Sequence, residues 1–261
     1  MTRDGGKSVR AVLGGLLALC SAVQASAQPP GGGPPGAAQR PATPKAAAPI
    51  DLTGWWVSVV TEDWRWRMVT PLRGDFANIP ATPAAHALGA AWDPAKDEAA
   101  GERCKAYGAP AILRRPGRLH ITWADDATLK IETDEGTQTR LLHFGAWKGG
   151  TRASWQGDSV ADWETPRRDA AAGPSKFGTL KVVTTNMRPG YLRKNGIPYS
   201  ASTKMTEYWD FYGGRSGEQF LVVSETIEDP RNLQIPWITS PNFKREADGS
   251  KWEPTPCMAR R

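Results

Sequence analysis

Residues 118–144 read RLHITWADDATLKIETDEGTQTRLLHF, and this stretch decides the fold class. Apolar and polar residues alternate in residues 118–123 and again in residues 128–133, which is typical of half-buried strands. Residues 124–127 provide turn chemistry between the two runs, so together they predict a β-hairpin. The apolar face of this hairpin consists of Leu119, Ile121, Trp123, Leu129 and Ile131.

Further runs rich in β-branched and aromatic residues flank the hairpin on both sides. The predicted strands cover residues 52–60, 63–70, 137–144, 179–185, 203–212 and 219–227. In the run 63–70 the alternation is regular and predicts one apolar and one basic face. Its apolar face would consist of Trp64, Trp66 and Met68, and its basic face of Arg65 and Arg67.

One helical segment interrupts the strands. Asp93 followed by Pro94 is typical of a helix N-cap and first helical position, which predicts a helix from there to about Tyr107, with Gly108 as its end. Short strands joined by tight turns, with a single helix, favour an antiparallel sheet that closes into a barrel and so removes its own edges. A β-sandwich is the alternative architecture.

The N-terminus predicts export. Residues 1–27 combine a basic start, an apolar run and a small-residue cleavage site, so the mature chain is expected to begin after Ala27. Lipidation at Cys20 is the alternative. Residues 28–49 are almost only Pro, Gly and Ala and predict a disordered tether, and residues 50–261 form one β domain. The expected location is periplasmic or extracellular, without stable membrane insertion after cleavage.

Cleavage would leave an even pair of cysteines, Cys104 and Cys257, in an oxidising compartment. The sequence therefore predicts a disulfide between them, and two free buried thiols are the alternative. The formal net charge of the whole chain is +6, but its basic residues are scattered among acids without a stripe or run. That pattern argues against nucleic acid as a partner.

No motif in the chain predicts a cofactor. There is no phosphate-binding glycine loop, no nucleophile elbow and no metalloprotease or EF-hand pattern. His86, His120 and His143 do not have metal-ligand spacing from one another, so structural roles are favoured and no metal site is expected.

Several stretches resemble a group of secreted bacterial lipocalin-like β-barrel proteins. The resemblance rests on motifs in a shared order: Gly54-Trp55-Trp56, Trp155-Gln156-Gly157-Asp158-Ser159-Val160 leading to Trp163-Glu164, Leu180-Lys181-Val182-Val183-Thr184-Thr185, Thr206-Glu207, and Glu228-Asp229-Pro230. It covers most of residues 50–257, and residues 167–178 form an insertion relative to the commoner pattern. The resemblance implies a secreted barrel, but it implies neither an activity nor catalytic residues.

Glu207 is the most telling single residue. In the run 203–212 it shares a face with Met205, Trp209 and Phe211, and a carboxylate on an apolar face must be paired or protonated. If the protein is an enzyme, Glu207 would act as acid or base together with His143 or Asp229. The structural alternative is an internal ion pair. The candidate partners for that pair are Arg65, Arg67 and Arg140. Asp229 is explained more simply as turn chemistry.

The many tryptophans point to a small-molecule pocket, because aromatic walls with a few polar groups are typical of such sites. The candidate ligand-binding residues are Trp64, Trp66, Arg65, Arg67, Trp209, Tyr208 and Trp237. The leading hypothesis is a barrel that binds a small apolar or aromatic molecule. The alternatives are a cofactor-free isomerase, lyase or hydrolase, and a structural module on a tether.

Overall fold

The structure is a computed structural model that describes residues 42–166 and 177–259. The described strands are β1 Gly54–Val59, β2 Arg118–Asp125, β3 Thr128–Thr133, β4 Gln138–Phe144, β5 Asp158–Glu164, β6 Thr179–Thr185, β7 Gly190–Tyr191, β8 Pro198–Tyr199, β9 Lys204–Gly213, β10 Gln219–Glu228, β11 Trp237–Thr239 and β12 Asn242–Glu246. The helices are α1 Trp64–Met68, α2 Pro83–Ala90, α3 Pro94–Ala99 and α4 Ala109–Ile112, with a 3-10 helix at Arg103–Tyr107.

Nine of these strands close into a barrel, as the strand pattern predicts. Their order is β10–β12–β1–β2–β3–β4–β5–β6–β9, and β9 pairs back onto β10. β11 pairs with residues 225–227 of β10, beyond the residues of β10 that pair with β12. The barrel is mixed and not purely antiparallel, because β4 and β5 run parallel. The connection 145–157 is long enough to return the chain to the end of the barrel at which β4 begins.

The hairpin that decides the fold class is confirmed. β2 and β3 pair antiparallel, with Ile121 opposite Ile131 and Trp123 opposite Leu129. The predicted strands at 179–185, 203–212 and 219–227 also form, each within one residue of its expected bounds. Alternation predicts these strands well because each of them buries one face in the barrel and presents the other outward.

The strand expected at 63–70 is wrong, because this stretch is the short helix α1 and the chain that follows it. Asp63 takes a left-handed conformation with φ 46°, which turns the chain soon after β1. The expected apolar and basic faces do not form either: Trp64 is 68% exposed, while Arg67 is buried and Arg65 is exposed. Arg67 Nε donates a hydrogen bond to the carbonyl of Arg114 at 2.9 Å. This long-range contact overrides the local alternation.

In residues 42–166 and 177–259 the helical content is four short α-helices and a 3-10 helix rather than one segment. The expected start at Asp93 is confirmed, since its side chain accepts a hydrogen bond from Ala95 N at 3.0 Å and Pro94 occupies the first turn. The helix does not continue to Tyr107. The chain leaves it at Gly101, which has φ 71°, and then forms the 3-10 helix. None of the helices in the described ranges is long and apolar enough to cross a membrane.

Apolar side chains fill the barrel, and a second cluster covers one end of it. The interior includes the buried residues Trp56, Ile121, Leu142, Leu180, Trp209 and Phe243. The second cluster includes Phe76, Ala85, Met187, Ile197, Tyr199 and Ile227. It lies where β1 ends and β2 begins. We call the segments 60–117 and 186–203, which cover this end, the cap.

The predicted disulfide is confirmed. Cys104 in the 3-10 helix is bonded to Cys257 in the C-terminal tail, with a Cα–Cα distance of 5.1 Å. Next to this bond, Met258 N donates to the hydroxyl of Tyr107 at 3.2 Å, so the tail is held against the cap.

The described unit begins at Ala42. The Pro44 carbonyl accepts a hydrogen bond from Trp163 Nε1 at 2.9 Å, and Lys45 N donates to the carbonyl of Asp126 at 3.1 Å. Residues 42–49, placed in the predicted tether, therefore lie against the barrel at the end opposite the cap. The predicted signal peptide with Cys20, the rest of the tether and residues 167–176 of the insertion lie outside the described residues.

Candidate functional site

Glu207 forms a buried ion pair inside the barrel. Its two carboxylate oxygens accept hydrogen bonds from Arg140 Nη1 and Nη2 at 3.0 and 2.7 Å. The same guanidinium donates to Ser159 Oγ at 3.3 Å and to Thr184 Oγ1 at 3.0 Å. Burial alone would lower the pKa of Arg140, but the charge and hydrogen bonds of Glu207 raise it. The structural alternative for Glu207 is thus confirmed, with Arg140 as partner and not Arg65 or Arg67.

A second buried carboxylate, Glu225, lies directly opposite Glu207 in the β9–β10 register. Its Oε2 accepts a hydrogen bond from Thr239 Oγ1 at 2.7 Å, and its Oε1 has no hydrogen-bond partner among the described residues. Burial, and then the charge of Glu207, raise the pKa of Glu225 to about 8. Glu225 is therefore mainly protonated at neutral pH. In the sequence, Glu225 shares a strand face with Val223 and Ile227. The pattern that predicts an inward-facing carboxylate at Glu207 therefore predicts one at Glu225 as well.

His143 does not face Glu207. Leu142 and Phe144 point into the barrel, so His143 lies on its outer face, where it stacks on Trp147 with ring centroids 4.0 Å apart. Burial lowers the pKa of His143. His120 is likewise on an outer face, stacked on Trp55, and His86 lies edge-on to Phe76. Within the described ranges, no three His, Cys, Asp or Glu side chains converge as a metal site.

Asp229 follows β10 and organises a turn. Its carboxylate accepts hydrogen bonds from the backbone and hydroxyl of Ser200, both at 2.7 Å, and from Asn232 Nδ2 at 2.9 Å. Burial opposes ionisation, but these hydrogen bonds lower the pKa of Asp229. The three acid–base candidates thus occupy the barrel interior, the outer wall and a turn. The structure therefore does not place these three side chains in a common site.

The candidate ligand-binding residues also separate into groups. Trp209 is fully buried in the barrel core, and Tyr208 lies beside Lys181 on the outer face. Trp64 and Arg65 are exposed on α1. Trp66, Arg67 and Trp237 meet at one cavity or beside it, and Trp64 and Arg65 line a second cavity that adjoins it.

The first cavity has a volume of about 300 Å³ and opens in the cap. Five cationic side chains and one carboxylate line it, together with apolar residues. The cations are Arg67, Arg114, Arg115, Arg193 and Lys194, and the carboxylate is Glu135. The apolar part of the wall includes Trp66, Leu192 and Met258. We call this cavity the basic pocket.

Three separate elements bring the cations together. Arg67 lies on α1, Arg114 and Arg115 follow α4, and Arg193 and Lys194 lie in the turn between β7 and β8. Gly196 in this turn has φ 89°, and a Cβ there would lie 2.4 Å from the Trp92 side chain, so only glycine fits. Asn195 Nδ2 ties the turn to the segment after α1 by donating to the carbonyl of Asp75 at 2.7 Å.

The acidic neighbours neutralise this cluster only in part. Arg114 pairs with Glu62 at 3.0 Å and with Asp63 at 2.8 Å. The same carboxylates lie 3.7 Å from Arg67 and 3.9 Å from Arg193, within ion-pair range but beyond hydrogen-bond range. In the described part of the chain, Arg67 Nη1 and Arg193 Nε and Nη2 are buried without a hydrogen-bond partner.

Burial and crowding of like charges act on these guanidinium groups. Burial, and then the charge of Arg114, lower the pKa of both Arg67 and Arg193 to about 10. Trp237 lies under the cations, with the Arg114 guanidinium 4.8 Å and that of Arg193 5.7 Å from its ring. These aromatic contacts hold the guanidinium groups in place. The excess of positive charge means that an anion in the pocket would be favoured.

Sequence reasoning missed four of the five cations. Arg114-Arg115 precedes Pro116, and Arg193-Lys194 precedes Asn195-Gly196, so each basic pair adjoins residues typical of turns. Two adjacent basic residues beside turn-forming residues were thus the sequence pattern that could have indicated each half of the pocket. The two pairs are far apart in the chain, and only the cap brings them to one cavity.

Comparison with known proteins identifies no relative: no family model, no curated protein and no solved structure matches the chain. The resemblance to secreted lipocalin-like proteins therefore stays a prediction.

Proposed function

We propose that this protein binds a small anionic molecule in the basic pocket. The observation that carries the proposal is the set of three buried guanidinium N–H donors, on Arg67 and Arg193, that lack an acceptor among the described residues. An unpaired buried donor is unfavourable, and a hydrogen bond to a charged partner contributes about 1.5–3 kcal/mol. A carboxylate or phosphate supplies the matching acceptors and the opposite charge.

The pocket also accommodates an apolar part of the ligand. Its volume of about 300 Å³ is at the lower end for small-molecule sites. Trp66, Leu192 and Met258 provide apolar wall beside the cations. The sequence predicted a small apolar or aromatic ligand. The proposal keeps the small size and an apolar part, and adds a negative charge.

Export of the mature protein is part of the same proposal. The signal-peptide pattern of residues 1–27 supports it, and so does the Cys104–Cys257 disulfide, a bond that persists in oxidising compartments. Binding of a ligand in the periplasm or outside the cell is the function that these features favour together.

The test is calorimetric titration of the mature protein with inorganic phosphate, citrate, benzoate and the neutral benzyl alcohol. We expect one or more of the anions to bind, and benzyl alcohol not to bind. Arg193→Gln should weaken anion binding at least about ten-fold, because it removes charge-assisted donors.

Arg245→Gln is the matched control. Arg245 is also partly buried, has a pKa lowered by burial and stacks 4.5 Å over the ring of Trp56. It lies near Gly54 and Asp51, at the end of the barrel opposite the cap. Anion affinity should be unchanged in this variant. Equal losses in both variants, or no anion binding at all, would contradict the proposal.

A further inference from the structure

Next to the basic pocket, the segment 64–72 exposes an unusual amount of apolar surface. Trp64, Met68, Val69 and Leu72 are 68%, 53%, 63% and 82% exposed. Single exposed apolar side chains are common, but a contiguous group of them marks a binding surface. This group therefore needs an explanation beyond packing.

The exposed group lines a second cavity of about 340 Å³. Its walls are mostly apolar, with Arg65 and Asp75 as the charged residues among its lining. We call this cavity the apolar groove. It shares four lining residues with the basic pocket, so the two cavities adjoin each other. The shared residues are Trp66, Met68, Thr70 and Pro71.

Hydrogen bonds hold the wall of the apolar groove in position. Trp66 Nε1 lies 3.3 Å from both carboxylate oxygens of Asp75, and Asp75 N donates to the carbonyl of Leu72 at 3.0 Å. Asn195 Nδ2 also donates to the carbonyl of Leu72, at 3.2 Å. The exposed side chains are thus presented by a fixed segment that is bonded to the same turn as the cations of the basic pocket.

We propose that the ligand is a monomeric amphiphile with one carboxylate or phosphate head and a linear apolar tail. The head would lie in the basic pocket among the buried guanidinium groups of Arg67 and Arg193, and the tail in the apolar groove along Trp64 and Leu72. A monomer fits better than a membrane surface, because the donors that lack a partner in the described ranges are buried in a recess of only about 300 Å³. This inference rests on the proposed function and specifies its ligand class.

The experiment is a titration with methyl, butyl and octyl phosphate, each below its critical micelle concentration. The head group is constant in this series, so any gain in affinity reports the tail. We expect affinity to rise about two- to four-fold for each methylene from butyl to octyl phosphate, the upper value being that of a fully buried methylene.

Two variants assign the gain to the groove. Leu72→Ser and Trp64→Ser alter exposed side chains and should leave methyl phosphate binding unchanged, while octyl phosphate binding falls at least about five-fold. Ile238→Ser is the matched control, since Ile238 is a similarly exposed apolar residue on β11 that lines neither cavity. This variant should retain the full effect of chain length.

The outcomes separate the two proposals. Equal affinity for methyl and octyl phosphate, both lost in Arg193→Gln, would overturn the amphiphile inference and leave anion binding intact. Absence of any Arg193-dependent binding would overturn both. A sedimentation assay with vesicles of phosphatidylcholine and phosphatidylglycerol tests whether the head group instead belongs to a lipid in a bilayer. Leu72-dependent vesicle binding without binding of octyl phosphate would identify a bilayer as the partner and overturn the monomer proposal.

Discussion

Two buried arginines in this protein have opposite electrostatic surroundings. Arg140 in the barrel donates two hydrogen bonds to Glu207 and others to neighbouring hydroxyls, and its pKa is raised. Arg193 in the cap has Nε and Nη2 without hydrogen-bond partners among the described residues, and its pKa is lowered to about 10. The comparison teaches that burial alone does not define a functional cation. A guanidinium paired with a carboxylate is part of the framework, whereas we propose that an incompletely neutralised one binds a ligand.

The largest expected effect comes from the link between the cap and the tail. The Cys104–Cys257 disulfide closes a loop with a sequence separation of 153, so a Cys104→Ser/Cys257→Ser variant should lose about 5 kcal/mol of unfolding free energy by the chain-entropy account. Met258 lines the basic pocket, so anion affinity should fall as well.

Chemical denaturation under non-reducing conditions and calorimetry measure these two effects. Wild-type protein treated with reductant provides the control for the substitutions themselves. Lower stability with unchanged affinity would show that the C-terminal tail does not contribute to anion binding in the basic pocket.

The next effect compares the two arginines directly. Glu207→Gln leaves Arg140 buried beside a neutral partner and should cost about 3 kcal/mol of unfolding free energy, the lower end for a broken buried pair, because Glu225 can ionise in compensation. Arg193→Gln should change stability by less than about 1 kcal/mol, since loss of the bond to the Ala77 carbonyl is offset by relief of repulsion from Arg114.

Urea denaturation of both variants at neutral pH measures this difference. An Arg140→Met/Glu207→Met double variant should recover most of the loss, because it removes both charges. Similar losses for Glu207→Gln and Arg193→Gln would mean that the two clusters are equally structural, and the contrast between barrel and cap would be wrong.

The smallest effect is a pH dependence in the barrel. The pKa of Glu225 is raised from 4.5 to about 8, so between these pH values the folded protein keeps a proton that the unfolded chain has released. Stability contributed by Glu225 is therefore present at low pH and is lost as the pH rises to about 8. Relative to Glu225→Gln, the wild type should lose at least about 2 kcal/mol over this range.

The difference between the two proteins isolates Glu225, because other groups such as His143 titrate in both. Arg67, with a pKa of about 10, and Arg140, whose pKa is raised, stay charged throughout this range and so do not add to the slope. A difference in stability that does not vary with pH would show that Glu225 is ionised in the folded protein.

Alternation along single strands predicted much of the barrel and its interior pair. The hairpin of β2 and β3 and the inward position of Glu207 follow from local periodicity, because each side chain's face depends only on its place in the strand. The same reasoning failed for residues 64–68. There Arg67 reaches the carbonyl of Arg114 across the fold, and that contact outweighs the strand-like pattern.

Short or irregular elements were also beyond prediction. β11 and β12 have only three and five residues, too few for a clear alternation. The parallel pairing of β4 and β5 depends on the end of the barrel to which the connection 145–157 returns the chain. The basic pocket combines pairs of cations from separate turns with a C-terminal methionine. Their separation along the chain carries no information on whether they meet.

By itself the sequence determined the β-barrel class, the cysteine pair and the inward carboxylate at Glu207, because each depends on local spacing or on residue composition. Only the tertiary structure decided that Arg140 is the partner of Glu207 and that Arg67, Arg114 and Arg193 share one pocket. Electrostatic pairing depends on distance in space, which the barrel sets for Arg140 and Glu207 and the cap sets for the cations of the pocket.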